Sequence, residues 1–198
     1  MTDAEGLLAL YELKSRAELA DADAVVGAGP GAWRGAAIAS VALVVGPPGD
    51  ASGSPLGGEA GEAVAKALAA LGFAAGSEFV IATRPSRDAD GEAFARRLRL
   101  ALEAVDPTLV LALDAAGAGD LRGAYGLTDM PVGEPIRVMG RTLGYVGDFV
   151  ASLSDVSTKA RVWSAMKAIA RSDASAAPTK RLTAPRQGSE VRDDRPRT

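Results

Sequence analysis

The sequence predicts an α/β fold, with three layers (α/β/α) around a central, mostly parallel sheet of four or five strands. Short apolar runs alternate along the chain with longer stretches whose apolar residues repeat at helical spacing. The first three of these runs are almost continuously apolar, and helical stretches separate them. Such runs are typical of parallel strands that are covered by helices on both faces.

The N-terminal region, residues 1–37, predicts a helix and then a connection. Thr2 and Glu5 have the spacing of a capping box for a helix over residues 3–19. The apolar stripe of this helix comprises Leu7, Leu8, Leu10, Tyr11 and Leu13. Residues 21–37 are rich in Gly, Ala and Asp and contain Pro30, so we expect a flexible connection there.

The α/β domain is predicted to span residues 38–171. Its strand candidates are Val41–Val45, Glu78–Ala82, Leu109–Leu113, Ile136–Met139 and Leu143–Val146. Its helix candidates are Glu59–Leu71, Gly91–Val105, Ala115–Gly123 and Asp155–Ala170. The last two strands predict a hairpin around Gly140-Arg141, and Ser154 or Asp155 is the expected N-cap of the last helix. Residues 172–198 have almost no large apolar side chain, which predicts a disordered tail.

Two missing residue types limit the chemistry. The chain contains no Cys, which excludes disulfides, thiolate metal sites and iron–sulfur clusters. It also contains no His, which excludes Ser-His-Asp catalysis and His-coordinated zinc. We therefore expect no metal and no cofactor. The net charge of −3 gives no reason to expect strong nucleic-acid binding. No apolar run has membrane-spanning length and no signal peptide is visible, so we expect a cytoplasmic protein without a membrane partner.

The most informative motif is a Gly/Pro-rich loop between the first strand candidate and the next helix. A strand, a Gly-rich loop and a helix N-terminus together present backbone N–H groups to a phosphate. The predicted phosphate- or DNA-binding residues are Gly49, Gly53, Gly58, Arg84 and Arg141, provided that the strand ends converge. The loop lacks the Gly-Lys-Ser/Thr ending of a Walker motif and the Gly-x-Gly-x-x-Gly spacing of a Rossmann motif, so we rank an unrelated nucleotide-binding protein last.

The loop from Gly46 to Gly61 resembles the first motif of the uracil-DNA glycosylase superfamily, especially its iron–sulfur-type and related bacterial branches. Later pieces resemble the family in the same order. They are Ala82-Thr83-Arg84-Pro85, Asp106 to Leu113, Gly140 to Phe149, and Lys159 to Lys167. The resemblance covers about residues 40–171 and implies the three-layer fold of that family.

The resemblance also implies where the family's functional groups would fall. The base-stacking aromatic residue maps to Leu56, and the base-reading asparagine maps near Ala82 or Thr83, neither of which carries an amide. The acidic residue of the first loop maps to Pro47, and the histidine motif maps to residues 151–154. Gly46, Pro47, Leu56 and Thr83 would thus be remnants of a base pocket. These replacements favour a non-catalytic member of the family.

Two functional hypotheses from different classes remain open. The first is a binding or scaffold module in DNA replication or repair, whose partner is DNA, bound weakly and salt-dependently, or a replication or repair protein. The second is a divergent glycosylase that removes uracil or another damaged base. In that enzyme Asp50 would position water, and Ser152 or Ser154 would donate to the base. Asp114, at the end of the third strand candidate, is either a similar carboxylate or a turn residue.

Overall fold

The structure, a computed structural model, describes residues 3–29, 31–47, 55–74, 76–85 and 90–176. Within these ranges the chain forms six helices and six strands. The helices are α1 (Asp3–Ala24), α2 (Gly58–Ala70), α3 (Gly91–Val105), α4 (Ala115–Tyr125), α5 (Phe149–Ser152) and α6 (Val156–Ala176). The strands are β1 (Trp33–Gly35), β2 (Val41–Val45), β3 (Glu78–Ala82), β4 (Leu109–Ala112), β5 (Ile136–Val138) and β6 (Arg141–Tyr145).

All six strands belong to one mixed sheet with the order β1-β3-β2-β4-β6-β5. The four inner strands, β3, β2, β4 and β6, are parallel, whereas β1 and β5 pair antiparallel at the two edges. The predicted α/β class is therefore confirmed. The expected count of four or five strands is wrong, because the short edge strand β1 adds a sixth.

Helices cover both faces of the sheet. One apolar cluster joins α1, α3 and α4 to side chains such as Ala42 and Val44 of β2. The other joins α2, α5 and α6 to the alternate side chains of the same strand, Leu43 and Val45 among them. Burial of each Leu or Val side chain contributes about 1.5–3 kcal/mol, so both faces of a central strand must be apolar.

Strand β1 lies inside the stretch predicted to be a flexible connection, and that prediction is corrected. Trp33 packs against Phe79 of β3, with 5.6 Å between ring centroids. Arg34 donates to the carbonyls of Pro55 (2.9 Å) and Leu56 (3.1 Å). Three residues are too few to show a strand period, so these tertiary contacts are what define β1.

Two helices differ from their predicted form. In α1 the apolar stripe does not face the core; the buried residues are Ser15, Leu19 and Ala22. Helix α6 continues to Ala176, past residue 172, where the tail was predicted to begin. The remainder of that predicted tail, and Thr2 of the predicted capping box, lie outside the described residues.

The C-terminal half of the fold agrees with the sequence in its turns and caps. Strands β5 and β6 form the predicted hairpin, whose turn residues Met139 and Gly140 have φ of 49° and 83°. Asp155 caps α6, because its carboxylate accepts from the Thr158 N–H at 2.6 Å. The short helix α5 was not predicted. Within the described ranges, no helix is long and apolar enough to cross a membrane.

Candidate binding site at the carboxyl edge of the sheet

The topology places a candidate binding crevice between β2 and β4. From β2 the chain passes through α2 to β3 on one side, and then through α3 to β4 on the other side of β2. In parallel α/β sheets, ligands bind outside the carboxyl ends of the strands at such a switch point. Gly46 directly follows β2, and Asp114 lies just beyond β4, so these two residues border the crevice.

Asp114 links the two sides of this crevice. Its Oδ2 accepts from the Gly46 N–H at 2.8 Å, and its Oδ1 accepts from the Gly117 N–H at 2.6 Å as the N-cap of α4. Gly46 is buried, and a Cβ there would lie 2.7 Å from the Ala116 Cβ. The loop backbone therefore lies directly against the start of α4, and both oxygens of Asp114 are already hydrogen-bonded.

Thr83 and Arg84 both bind Asp120 of α4. The Thr83 hydroxyl donates to Oδ2 at 2.5 Å. The Arg84 guanidinium donates to both carboxylate oxygens, from Nε at 2.8 Å and from Nη2 at 2.6 Å. The hydrogen bond and the charge of Asp120 raise the Arg84 pKa, so this side chain stays cationic. Although the Arg84 side chain is 47% exposed, its charge is paired.

Tyr145, at the end of β6, completes this edge. Burial raises the pKa of its phenol, and the charges of Asp148 and Asp114 raise it further, so the hydroxyl stays protonated. Asp148 caps α5 by accepting from the Ala151 N–H at 2.9 Å. Among the described residues named here, three carboxylates (Asp114, Asp120 and Asp148) accompany one cation, Arg84, so their summed charge is negative.

The two candidate serines are engaged with local backbone. Ser152 is buried, and its hydroxyl donates to the Phe149 carbonyl at 2.6 Å. Ser154 is exposed, and its hydroxyl donates to the Ala151 carbonyl at 3.0 Å. Both hydroxyls thus bond to a carbonyl three residues earlier. The expected water-positioning Asp50 lies outside the described residues, as do Gly49 and Gly53.

Leu56, which maps to the stacking position, belongs to the core. Its side chain is buried in the cluster beneath α2 and α6, and its backbone has a φ of 57°. Gly61 permits this arrangement, since a Cβ there would lie 2.6 Å from the Leu56 carbonyl oxygen. Pro47, in the loop, and Gly58, the first residue of α2, are both exposed.

Arg141 does not join this site, which corrects the expected convergence with Arg84. It is the first residue of β6, so it lies at the amino edge of the parallel strands, about 13 Å from Tyr145 at the other end. Its guanidinium binds Asp106 at 2.7 Å and the Tyr125 hydroxyl at 3.3 Å. These contacts tie β6 to the ends of α3 and α4.

The sequence contained a signal for only part of this arrangement. Asp114 stands between a predicted strand and a predicted helix, the usual place of an N-cap, so the sequence pattern identifies it. Asp148 caps α5, a helix that the sequence did not predict. Asp120 lies inside a helix, 36 residues from Arg84, and only the packing of α4 brings the two together.

Comparison with protein-family models and with curated proteins provides no relative from which to assign this site. No protein-family model matches the chain, and no curated protein shows significant sequence similarity to it. Within the part of the chain that the structure describes, no group of three or more metal-ligating side chains comes together.

Proposed function

We propose that the chain is a non-catalytic binding or scaffold module with a uracil-DNA glycosylase-like fold, acting in DNA replication or repair. One observation supports its non-catalytic part: the two carboxylates at the switch point are already hydrogen-bonded to other groups of the chain. Asp114 holds Gly46 and Gly117, and Asp120 holds Thr83 and Arg84. Acid–base or electrostatic catalysis requires such groups to be directed at the substrate.

The charge at this edge favours a protein partner over DNA. Phosphate binding requires cations that can replace counterions, but Arg84 is paired with Asp120, and Asp114 and Asp148 lie near Tyr145 at the same edge. We therefore expect any affinity for DNA to be weak and to fall with salt.

A glycosylase assay tests the non-catalytic part of the proposal. Duplexes that carry uracil or hypoxanthine are incubated with the full chain, and abasic sites are measured. We expect no more abasic sites than in protein-free samples. Turnover that Asp50→Asn abolishes would instead support the divergent glycosylase and reject the proposal.

A salt series tests the DNA part, with two matched arginine variants. Arg84→Gln removes a cation at the carboxyl edge. Arg171→Gln removes an exposed cation near the amino edge of the sheet. This location follows from Asp173, two residues further along α6, which accepts from the Thr142 hydroxyl of β6 at 2.9 Å. Because the charge of Arg84 is paired with Asp120, we expect weak binding with a slope of log affinity against log salt of about −1 to −2 that neither variant changes by a full unit. Tight binding whose slope falls by about one with Arg84→Gln alone would show that Arg84 contacts phosphate and would contradict this charge argument.

A further inference from the structure

An apolar groove runs between α2 and α6, on the face of the sheet opposite α1. Its volume is about 630 Å³, within the range of well-formed binding pockets. Its apolar lining includes Ala63 and Ala67 of α2 together with Phe149, Trp163 and Met166. The charged residues on its rims have a summed charge of zero; they are Glu59, Glu62, Lys66 and Lys159. We call this surface the α2–α6 groove.

The same chain exposes an apolar helix surface. In the first half of α1 the large apolar side chains remain 53–67% exposed. They are Leu7, Leu8, Leu10, Tyr11 and Leu13. Leu7, Leu10 and Tyr11 lie within about 100° of one another around the helix and form one apolar face, while Leu8 and Leu13 lie on its flanks. The exposed area of this face is roughly 300 Å², the size of a large apolar patch on a typical monomer. We call residues 3–14 the α1 arm.

The α1 arm cannot fill the groove of its own chain. Leu19 and Ala22 of α1 are buried against α3 and α4, on the opposite face of the sheet from the groove. The ion pair between Asp23 and Arg97 of α3 fixes the same end of the helix. Since α1 is one continuous helix over Asp3–Ala24, its first turns cannot bend back across the sheet. Only an arm from another copy can reach the groove.

The two surfaces match in length and volume. Twelve helical residues make the arm about 18 Å long, and the groove follows α2 from Glu59 to Ala70, about 17 Å. A space of roughly 150 Å³ accommodates a benzene ring, so the groove has room for about four side chains of Leu or Tyr size. An apolar helix placed in an apolar groove is an established mode of protein recognition.

We propose that two copies of this chain form a dimer in which the α1 arm of each lies in the α2–α6 groove of the other. One such contact would bury about 600 Å² in total, well below the size of stable interfaces, whereas the reciprocal pair would bury about 1,200 Å², the lower end of the standard range. The reciprocal arrangement also closes with two-fold symmetry and leaves neither surface free to extend a chain of molecules.

Sedimentation of the full chain over a concentration series tests the dimer. Leu10→Glu places a charge on the arm, and Ala63→Glu places one in the groove. Each is expected to weaken dimerisation at least about tenfold, because a charge replaces an apolar contact and must be desolvated as the dimer forms. Ala20→Glu and Ala69→Glu are the matched controls, since both alanines are exposed, and Ala69 lies on α2 outside the groove lining.

A mixture of the two interface variants tests the arm-in-groove geometry. Leu10→Glu keeps an intact groove and Ala63→Glu keeps an intact arm, so the mixture regains one contact and dimerises better than either variant alone. Intrinsic fluorescence is a second measurement. In a Trp33→Phe background Trp163 is the single tryptophan, and its emission is expected to shift to shorter wavelength as the dimer forms.

Several results would overturn the proposal. One is a wild-type chain that stays monomeric at about 100 μM, where an interface of this size should be populated. A loss of dimer with Leu10→Glu but not Ala63→Glu would place the arm against another surface, such as a second arm. The converse would indicate pairing between grooves. If the control variants weakened dimerisation as much as Leu10→Glu and Ala63→Glu do, no specific surface would be involved.

Discussion

The guanidinium of Arg97, on α3, is completely buried and pairs with the Asp23 carboxylate of α1. Nε donates to Oδ1 at 2.8 Å, while Nη2 lies 2.7 Å from the same oxygen without the alignment of a hydrogen bond. Nη1 donates to the Ala82 carbonyl, at the end of β3, at 2.7 Å. Burial lowers the pKa of Arg97, and the charge of Asp23 partly offsets that effect. One side chain thus joins α1, α3 and the sheet.

Asp23→Ala should destabilise the fold by about 2–4 kcal/mol, because the buried guanidinium would lose its counter-charge. This is somewhat less than for a fully buried pair, since the Asp23 side chain is 16% exposed. Urea denaturation measures the change. Asp21→Ala, at an exposed position of the same helix, should stay within about 0.5 kcal/mol of wild type. Equal stabilities for the two variants would mean that the pair contributes nothing.

Gly46→Ala should cost about 1–3 kcal/mol, because the new methyl group would overlap Ala116 and strain the bond to Asp114. Gly119→Ala, inside α4 with open space around it, should stabilise by about 0.4–1 kcal/mol. Thermal unfolding of both variants gives the comparison. A stable Gly46→Ala protein would show that the loop does not pack closely on α4.

Gly144→Ala should also cost about 1–3 kcal/mol, because its methyl group would lie 2.7 Å from Cγ1 and Cγ2 of Ile169 in α6. Ile169→Ala alone should cost about 2–5 kcal/mol, since that side chain is fully buried. The double variant should lose about 1 kcal/mol less than the sum of the two single costs, as measured by a double-mutant cycle in urea. Strict additivity would contradict the close approach of β6 to α6.

Asp155 gives the protein a defined acid sensitivity. Hydrogen bonds from Thr158 and Ser157 lower the pKa of its carboxyl from 3.8 to about 2. A lowered pKa means that the carboxylate stabilises α6 fully above pH 3.8 and that this contribution disappears as the pH falls towards 2.

The comparison protein for this test is Asp155→Asn, which keeps an N-cap but cannot titrate. Melting temperatures of both proteins are measured between about pH 2 and pH 6. The wild-type advantage should be constant at the upper end and shrink as the pH approaches 2. A difference that does not change with pH would mean that Asp155 does not cap α6 as a carboxylate.

The strands β2, β3 and β4 agree with prediction to within one residue, because burial on both faces leaves an uninterrupted apolar run. The edge strand β1 left no such pattern, since its pairing depends on contacts of Trp33 and Arg34 with distant residues. Likewise, the exposed α1 arm has an apolar sequence that would equally suit a buried helix. Local pattern shows that a helix forms, but it does not show which surface covers it.

The candidate site was also predicted only in part from the sequence. The Gly/Pro loop and the resemblance identify Gly46, Thr83 and Arg84 as candidates from the sequence alone. The packing of α4 decides that Asp114 and Asp120 form hydrogen bonds with these candidates. The placement of β6 in the sheet decides that Arg141 lies at the opposite edge. The resemblance to uracil-DNA glycosylases, and the roles it implies, stay predictions.

By itself, the sequence determined the α/β class, the apolar parallel strands and the absence of histidine and cysteine chemistry. These features depend only on which residues are present and on how apolar residues are spaced along the chain. Only the tertiary structure decided which groups Asp114 and Asp120 bind at the carboxyl edge and that a groove opens between α2 and α6. Hydrogen-bond partners 36 to 68 residues apart, such as Asp120 with Arg84 and Asp114 with Gly46, are chosen by the packing of whole elements. A local sequence pattern cannot predict which of these distant residues will pair.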